Sequence, residues 1–268
     1  MTLKEGDFVL INYVISVKTD DQEVVEDTNI EEVARKNNIL DANRKYEPYL
    51  VVVGRSSVIA AIDEELRNMD VGQVKEFVAP PEKAYGPYRD DLVIRVPIKQ
   101  LRRYGIAPVV GRRVEVGGRV GVIKSVTERF AFIDFNHPLA GKQLKIRLEV
   151  AKKLESDEDK VRYLVTRYLP LDQSKVAVAV REGVVEVALP REAIGFSDLE
   201  SRLQLLAADL QNLLGAKELR LVIDVPLAQP QQAQAAAQQA GAAQAQPAAP
   251  AGQEQQAQGA QSAATQQA

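Results

Sequence analysis

The chain contains no cysteine and a single histidine, His137. Those two counts remove most of the chemistry a protein can run. A thiol nucleophile, a disulfide framework and a cysteine metal site are impossible, as is a histidine-rich zinc or haem site. A Ser-His-Asp triad would have to use His137. No metal and no cofactor is expected. What remains is the chemistry of hydroxyls, carboxylates, amines and guanidinium groups. Tyr13, Val58, Ile59, Ile62 and Ile146 fall by phase on apolar faces of strands or helices, and Asp27 follows a short strand. Taken singly, Tyr13 and Ile146 read as core and Asp27 as a turn or cap residue.

The elements that would position these residues can be read in order. Phe8–Val17 alternates as a strand, with Val9, Ile11, Tyr13, Ile15 and Val17 on one strongly apolar face. Thr19–Gln22 reads as a turn and Glu23–Glu26 as a short returning strand. Asn29 with Glu32 resembles a capping box opening a helix through about Asn37. Tyr49–Val53 reads as a buried strand ending at Gly54. A helix starting at Ser56 or Ser57 puts Val58, Ile59, Ile62, Leu66 and Met69 on one face and stops before Gly72. Val74–Val78 is a further strand. Val114–Val116, Val120–Val126 and Ala131–Phe135 follow as short strands, with Gly117–Gly118 as a tight hairpin turn. Leu144–Val150 alternates with its apolar face on the even numbers. The charged run Glu155–Lys160 reads as a domain boundary. Beyond it, strands are expected over Arg162–Tyr168, Val176–Val180 and Val184–Leu189. A helix from Ser197, with Glu200 completing a capping box, runs to Gly215, and a last strand covers Leu219–Val225.

Composition sets the outer limits. The chain has 268 residues, 46% hydrophobic and 26% charged, with net charge -3. That is the profile of an ordinary globular protein, and near-neutrality argues against holding nucleic acid by bulk charge. Lys4, Glu5 and Asp7 follow the first residue with no apolar signal core, and no apolar run approaches the ~20 residues of a membrane helix. The expectation is a cytoplasmic protein without a membrane partner. Lack of cysteine and tryptophan, with abundant Val, Arg and Glu, leans towards a thermophilic source. From Ala228 to Ala268 the chain is almost entirely Gln, Ala, Pro, Gly and Ser, and reads as a disordered tail.

Several spaced motifs then occur in order: Asp27–Thr28, Pro48–Gly54, Val58–Glu64, Met69–Gln73, Ala84–Tyr85–Gly86, Asn136–Lys142 and the strand Leu144–Val150. Together they resemble the FKBP-type peptidyl-prolyl cis-trans isomerases, in particular the SlyD-like branch with its insert-in-flap domain and the long archaeal members. The resemblance covers about Gly6 to Lys153, with a weaker likeness over Ser156 to Leu227. It implies an α+β fold: an antiparallel sheet wrapped on a short helix, an inserted small β domain and a C-terminal α+β domain. The implied division is 1–87 and 139–154 for the isomerase domain, 88–138 for the insert, 155–227 for the C-terminal domain and 228–268 for the tail. The implied cleft is lined by Tyr13, Tyr49, Val51, Val58, Ile59, Ile62, Tyr85, Ile146 and Leu139. Asp27, expected to be the one ionisable group at its rim, would orient Tyr13, and the Tyr85 phenol would donate to a substrate carbonyl. Three positions depart from the family pattern. Ile62 stands where many members have a large aromatic floor, Glu26 where an apolar residue often precedes the aspartate, and Ile146 where Phe is common.

The chemistry implied needs no nucleophile. Rotating a peptide bond costs about 18–20 kcal/mol because amide resonance is lost in the twisted geometry. An X–Pro bond has nearly equal cis and trans energies, so speeding its slow exchange is useful. An apolar, partly dehydrated cleft that prefers the twisted amide suffices. The expected partners are unfolded or nascent polypeptides containing X–Pro bonds, captured by the apolar insert, which carries Val109, Val110, Val114, Val116, Val120, Val122, Phe130, Phe132 and Phe135. Leu199, Leu203, Leu206, Leu210, Leu213 and Leu214 form a stripe that suits either packing on its own sheet or a homodimer contact. Two other functions remain open on sequence grounds. One is a holdase with little isomerase activity. The other is a ribosome- or RNA-associated protein using Arg102, Arg103, Arg112, Arg113 and Arg119.

Overall fold

The computed structural model describes residues 2–18 and 23–223. The turn expected at Thr19–Gln22, the last two residues of the expected final strand and the Gln/Ala-rich tail lie outside the described residues. The fold is mixed α+β, built on three sheets.

The first sheet holds the candidate site. Its members are β1 (Phe8–Lys18), β2 (Glu23–Thr28), β3 (Tyr49–Val52), β4 (Val74–Ala79) and a long late strand, Leu144–Leu154. All pair antiparallel. β1 is the axis: its first half pairs β3, its second half pairs β2, and its other edge takes the late strand over nearly its whole length. Both faces of β1 are used. Val9, Ile11, Ile15 and Val17 point into a core closed by Ala61, Ile62 and Leu66 of a short helix, Ala60–Leu66. Phe8 and Leu10 point the other way, into the core of the C-terminal part. Strand alternation therefore revealed one buried face, and the second is buried by long-range packing.

Two short helices differ from expectation in how they begin. The first, α1 (Glu31–Lys36), has Ile30 as its N-cap and no side-chain cap. Asn29 is not capping it. Asn29 is buried, accepts from the Tyr13 backbone N–H (2.8 Å), and donates to the carbonyls of Ile11 (2.8 Å) and Glu47 (3.0 Å). An amide can accept and donate at once, so Asn29 stitches β1 to the loop before β3. The second, α2 (Ala60–Leu66), has Ile59 as its N-cap, so Ser56, Ser57 and Val58 form a turn and bend that make a lip before it, with Ser56 at φ 51°. Its Asp63, almost fully buried, accepts from the Gly54 backbone N–H at 2.7 Å and ties the helix to the end of β3.

The insert forms the second sheet: β5 (Val93–Pro97), α3 (Ile98–Arg103), β6 (Arg113–Val116), β7 (Arg119–Val126) and β8 (Phe130–Asp134), ordered β5-β8-β7-β6. Gly117 and Gly118 both have positive φ (61° and 73°), the geometry a two-residue hairpin needs. β5 and α3 went unread in the sequence. The chain enters and leaves this module through one clamp. The Asn136 side chain accepts from the Arg89 backbone N–H (3.0 Å) and donates to the Arg89 carbonyl (2.8 Å), while Gly141 N–H donates to Gly86 O (2.8 Å).

After the late strand of the first sheet, β9 (Leu144–Leu154), comes the largest correction. Arg162–Tyr168 is no strand: with the charged residues Asp157–Lys160 and Val161 it makes α4 (Asp157–Tyr168). Ser156 Oγ accepts from Asp159 N–H at 3.1 Å, three acids occupy the first turn, and Val161, Leu164 and Val165 are buried on one face. Acids near a helix N-terminus meet the positive end of its dipole. A third sheet follows, from β10 (Ala177–Arg181), β11 (Val184–Leu189), α5 (Leu199–Leu214) and β12 (Glu218–Ile223). β10 pairs β11 antiparallel, whereas β11 and β12 run parallel because α5 carries the chain back. Gly215 ends α5 at φ 67°, as a left-handed cap should. The Ser197 capping box does not form. The N-cap is Asp198, whose carboxylate is held by Arg202 at 2.9 Å. The leucine stripe faces inward: Leu206 and Leu210 are buried, with Leu199, Leu203, Leu213 and Leu214 packed against the same core.

Candidate active site

A cleft of about 370 Å3 opens between β1, β2, the lip before α2 and the loop after β4. Its apolar walls come from Ile15, Val58, Ile59 and Ile62, and its aromatic ones from Tyr13, Tyr49 and Tyr85. Asp27, Ser56 and Ser57 supply the polar surface. Seven of the ten residues implied by the family resemblance thus meet in one recess. The other three do not face it. Val51 and Ile146 are fully buried and Leu139 nearly so, all in the core beneath the cleft. They shape its floor from behind. Ile15, Ser56 and Ser57 are lining residues that the resemblance did not supply.

Asp27 is not the only ionisable group at the rim. Arg44, from the loop before β3, donates to Asp27 Oδ1 at 2.5 Å and to the Tyr13 hydroxyl at 2.8 Å. The Tyr13 hydroxyl in turn donates to Asp27 Oδ2 at 3.1 Å. These three groups close a triangle. Its bonds are charge-assisted, so it fixes the Tyr13 ring, which also meets Tyr49 edge-on at 6.5 Å. Burial, with the Asp27 charge in support, pushes the Tyr13 phenol up to about 12 against the opposing pull of Arg44. Burial works against the Arg44 cation, yet its bonds to Asp27 and Tyr13 outweigh that and hold its pKa above the ordinary range. Nothing in the local sequence around Arg44 announces this role. It sits in a polar loop seventeen residues from Asp27, and only the closure of the sheet brings the two together.

On the opposite side Tyr85 lies flat on His137, with ring centroids 3.9 Å apart and planes within 4°. His137 Nδ1 accepts from the Leu139 N–H at 3.2 Å, which places the ring proton on Nε2 when the imidazole is neutral. Burial lowers the His137 pKa and so favours that neutral form. The Tyr85 pKa is raised, by burial first and by the Asp27 charge second, so this group stays a phenol. Its hydroxyl has no hydrogen-bond partner among the described residues. A half-buried donor without a partner is ready to serve a ligand. Among the described residues no group of three or more metal-binding side chains occurs, and no helix is long and apolar enough to cross a membrane.

Comparison with known proteins matches this arrangement. Residues 1–95 fit the family model for FKBP-type peptidyl-prolyl cis-trans isomerases. A short-type peptidyl-prolyl cis-trans isomerase of Methanocaldococcus jannaschii is 36% identical over 148 residues, which is 55% of this chain and 92% of that protein. The chain belongs to the FKBP-type peptidyl-prolyl cis-trans isomerase family. Its branch is marked by two further matches, residues 95–139 to the FKBP26 IF domain and 157–222 to the FKBP26 C-terminal domain. SlyD of Helicobacter pylori is 28% identical over 128 residues (47% of this chain, 69% of that protein), and SlyD of Escherichia coli 28% over 128 (46% and 64%). The FKBP26-type modules account for the second and third sheets.

Proposed function

We propose that the cleft holds the proline ring of an X–Pro bond and lowers its rotational barrier, with Tyr85 donating to a backbone carbonyl of the bound chain. The unpartnered Tyr85 hydroxyl on an otherwise apolar wall carries this reading. The planar amide is the more dipolar state, because resonance moves charge from nitrogen to oxygen. An apolar recess takes away the water that stabilises that dipole, and so narrows the gap to the twisted state. Ile15, Val58, Ile59 and Ile62 provide that environment. The Tyr13–Asp27–Arg44 triangle holds one wall rigid and keeps the Asp27 charge neutralised at the rim. No bond is made or broken, so the mechanism calls for no proton store.

The insert is proposed to capture unfolded segments and present their prolines to the cleft. Tyr104, Val109, Val110 and Val120 are 57–71% exposed on it. Beside Tyr104 lies a recess of about 560 Å3, with Val96, Leu101 and Ile106 in its wall. Exposed apolar surface on so small a module suits unfolded chains. Capture raises the local concentration of prolyl bonds near the cleft.

Turnover of a short X–Pro peptide tests the first part, and a rate equal to the uncatalysed one would refute it. The second part needs a deletion. Removing Tyr88–Pro138 would take out His137 and with it the support of Tyr85. The cut is better placed at Asp90–Phe135, joining Arg89 to Asn136, which already touch. The expected result is turnover of short peptides within a few-fold of the full chain, with loss of proline-limited refolding and of aggregation suppression. Unchanged refolding would sink the capture role.

A further inference from the structure

A second groove, of about 440 Å3, adjoins the proline cleft and is larger than it. One wall is the loop before β3 and the other is α4 of the C-terminal part. Tyr49 lines both recesses, and Arg44, at the rim of the cleft, lines the groove as well. The two recesses are therefore neighbours on either side of Tyr49. The walls are also set before anything binds. Leu50 and Val52 of β3 share one buried core with Val161, Leu164 and Val165 of α4.

The charge in the groove is unbalanced. Arg167 is exposed and makes no ion pair or hydrogen bond among the described residues. Lys45 gives its ammonium to the Leu171 carbonyl at 3.0 Å and has no carboxylate within ion-pairing distance among the described residues. Asp172 is close enough to feel Lys45, but its carboxylate is turned to Ser174. Arg44 is neutralised by Asp27. Glu47 is the one acid in the lining, against two cations, Arg167 and Lys45, that have no carboxylate partner among the described residues. Asp209, behind the groove, accepts from the Tyr168 hydroxyl at 2.5 Å.

We propose that this groove is an extension of the proline cleft, a subsite in which the C-terminal part binds an acidic stretch of the same polypeptide whose proline occupies the cleft. The proposal rests on the cleft being the prolyl site. It gives the C-terminal part a direct share in choosing substrate. Consecutive extended residues advance about 3.3–3.6 Å, so a chain passing Tyr49 needs only a few residues to cross from one recess to the other. Arg167 and Lys45 then meet its side chains as rim cations, with tyrosine rings beneath the backbone.

The test uses the full chain and peptides with one X–Pro core, flanked on either side by glutamates, glutamines or lysines. Binding is read by fluorescence anisotropy and turnover by isomerisation rate, each at low and high salt. Exposed charge contacts are weak singly, so Arg167 and Lys45 together should favour glutamate over lysine by roughly five- to tenfold at low salt on one flank, fading as salt rises. Arg167→Glu should flatten or invert that ratio, and Lys45→Glu should do so independently. Equal binding of all peptides, or an acidic preference that survives both changes, overturns the subsite. So does equal binding of a glutamate peptide whose proline is replaced by alanine, which would make the groove a separate site. If acidic peptides bind with the proline dependence but none is isomerised, the prolyl-isomerase reading fails and the subsite stands.

Discussion

Replacing Tyr85 by Phe separates catalysis from stability more cleanly than any other change in the cleft. The ring keeps its stack on His137, so the wall stays in place. The lost hydroxyl has no partner among the described residues, so the free protein loses no hydrogen bond to them. Stability should therefore shift by no more than about 0.5 kcal/mol. The bound chain does lose a bond. A neutral O–H to carbonyl bond contributes roughly 0.5–1.5 kcal/mol net, which converts to about a two- to twelvefold fall in kcat/KM. Where the bond strengthens in the twisted state the fall appears in kcat, and where it is equal in both states it appears in KM. An X–Pro peptide assay with progress curves at several substrate concentrations gives both, and a denaturant melt gives the stability. Wild-type kcat/KM in Tyr85→Phe would falsify the donor role. A destabilisation well beyond the stated shift would show that the hydroxyl has a protein partner, and the geometry argued here would be wrong.

Further outcomes concern pH and the shared core. Turnover should be level from about pH 7 to about pH 10, because Tyr13, Tyr85 and Arg44 are all held above their ordinary values. On the acid side His137, depressed below its ordinary 6.5 by burial, contributes stability that is present above that value and lost as pH falls through the depressed one. A rate that holds through pH 6.5 and declines only at lower pH in the wild type, and stays level there in His137→Gln, is the expected signature; identical profiles would remove His137 from the site. Leu164→Ala empties a fully buried position in the core shared by α4 and β3, and should cost about 2–5 kcal/mol. Because that core also holds Phe8 and Leu10, probes in the first sheet and in the C-terminal part should melt together, and two separate transitions would contradict the shared core.

Much of the site was legible in the residues themselves. The alternation of β1, the Gly117–Gly118 turn, the Gly215 stop and the ordered family motifs are local features, and local features survive without tertiary context. Tyr13, Asp27, Val58, Ile59, Ile62 and Tyr85 could be named from them. Other features were misread for identifiable reasons. Arg162–Tyr168 carries Tyr, Val and Thr, which favour strands, yet Val161, Leu164 and Val165 also recur at helical spacing. The capping serine and the acidic first turn decided for the helix, aided by the face it buries against β3. Asn29 looked like a cap because caps and buried stitches use the same side chain.

The sequence by itself determined that the protein has no thiol or histidine-rich chemistry, and which residues lie on the apolar faces of its strands and helices. Only the tertiary structure decided that Arg44 joins Asp27 and Tyr13, and that His137 supports Tyr85. It alone put Val51, Ile146 and Leu139 under the cleft rather than in it. The physical reason is the same in each case. Periodicity records which face of an element is apolar, whereas partners far apart in the chain, and the depth of a residue beneath a surface, are settled by how the elements close on one another.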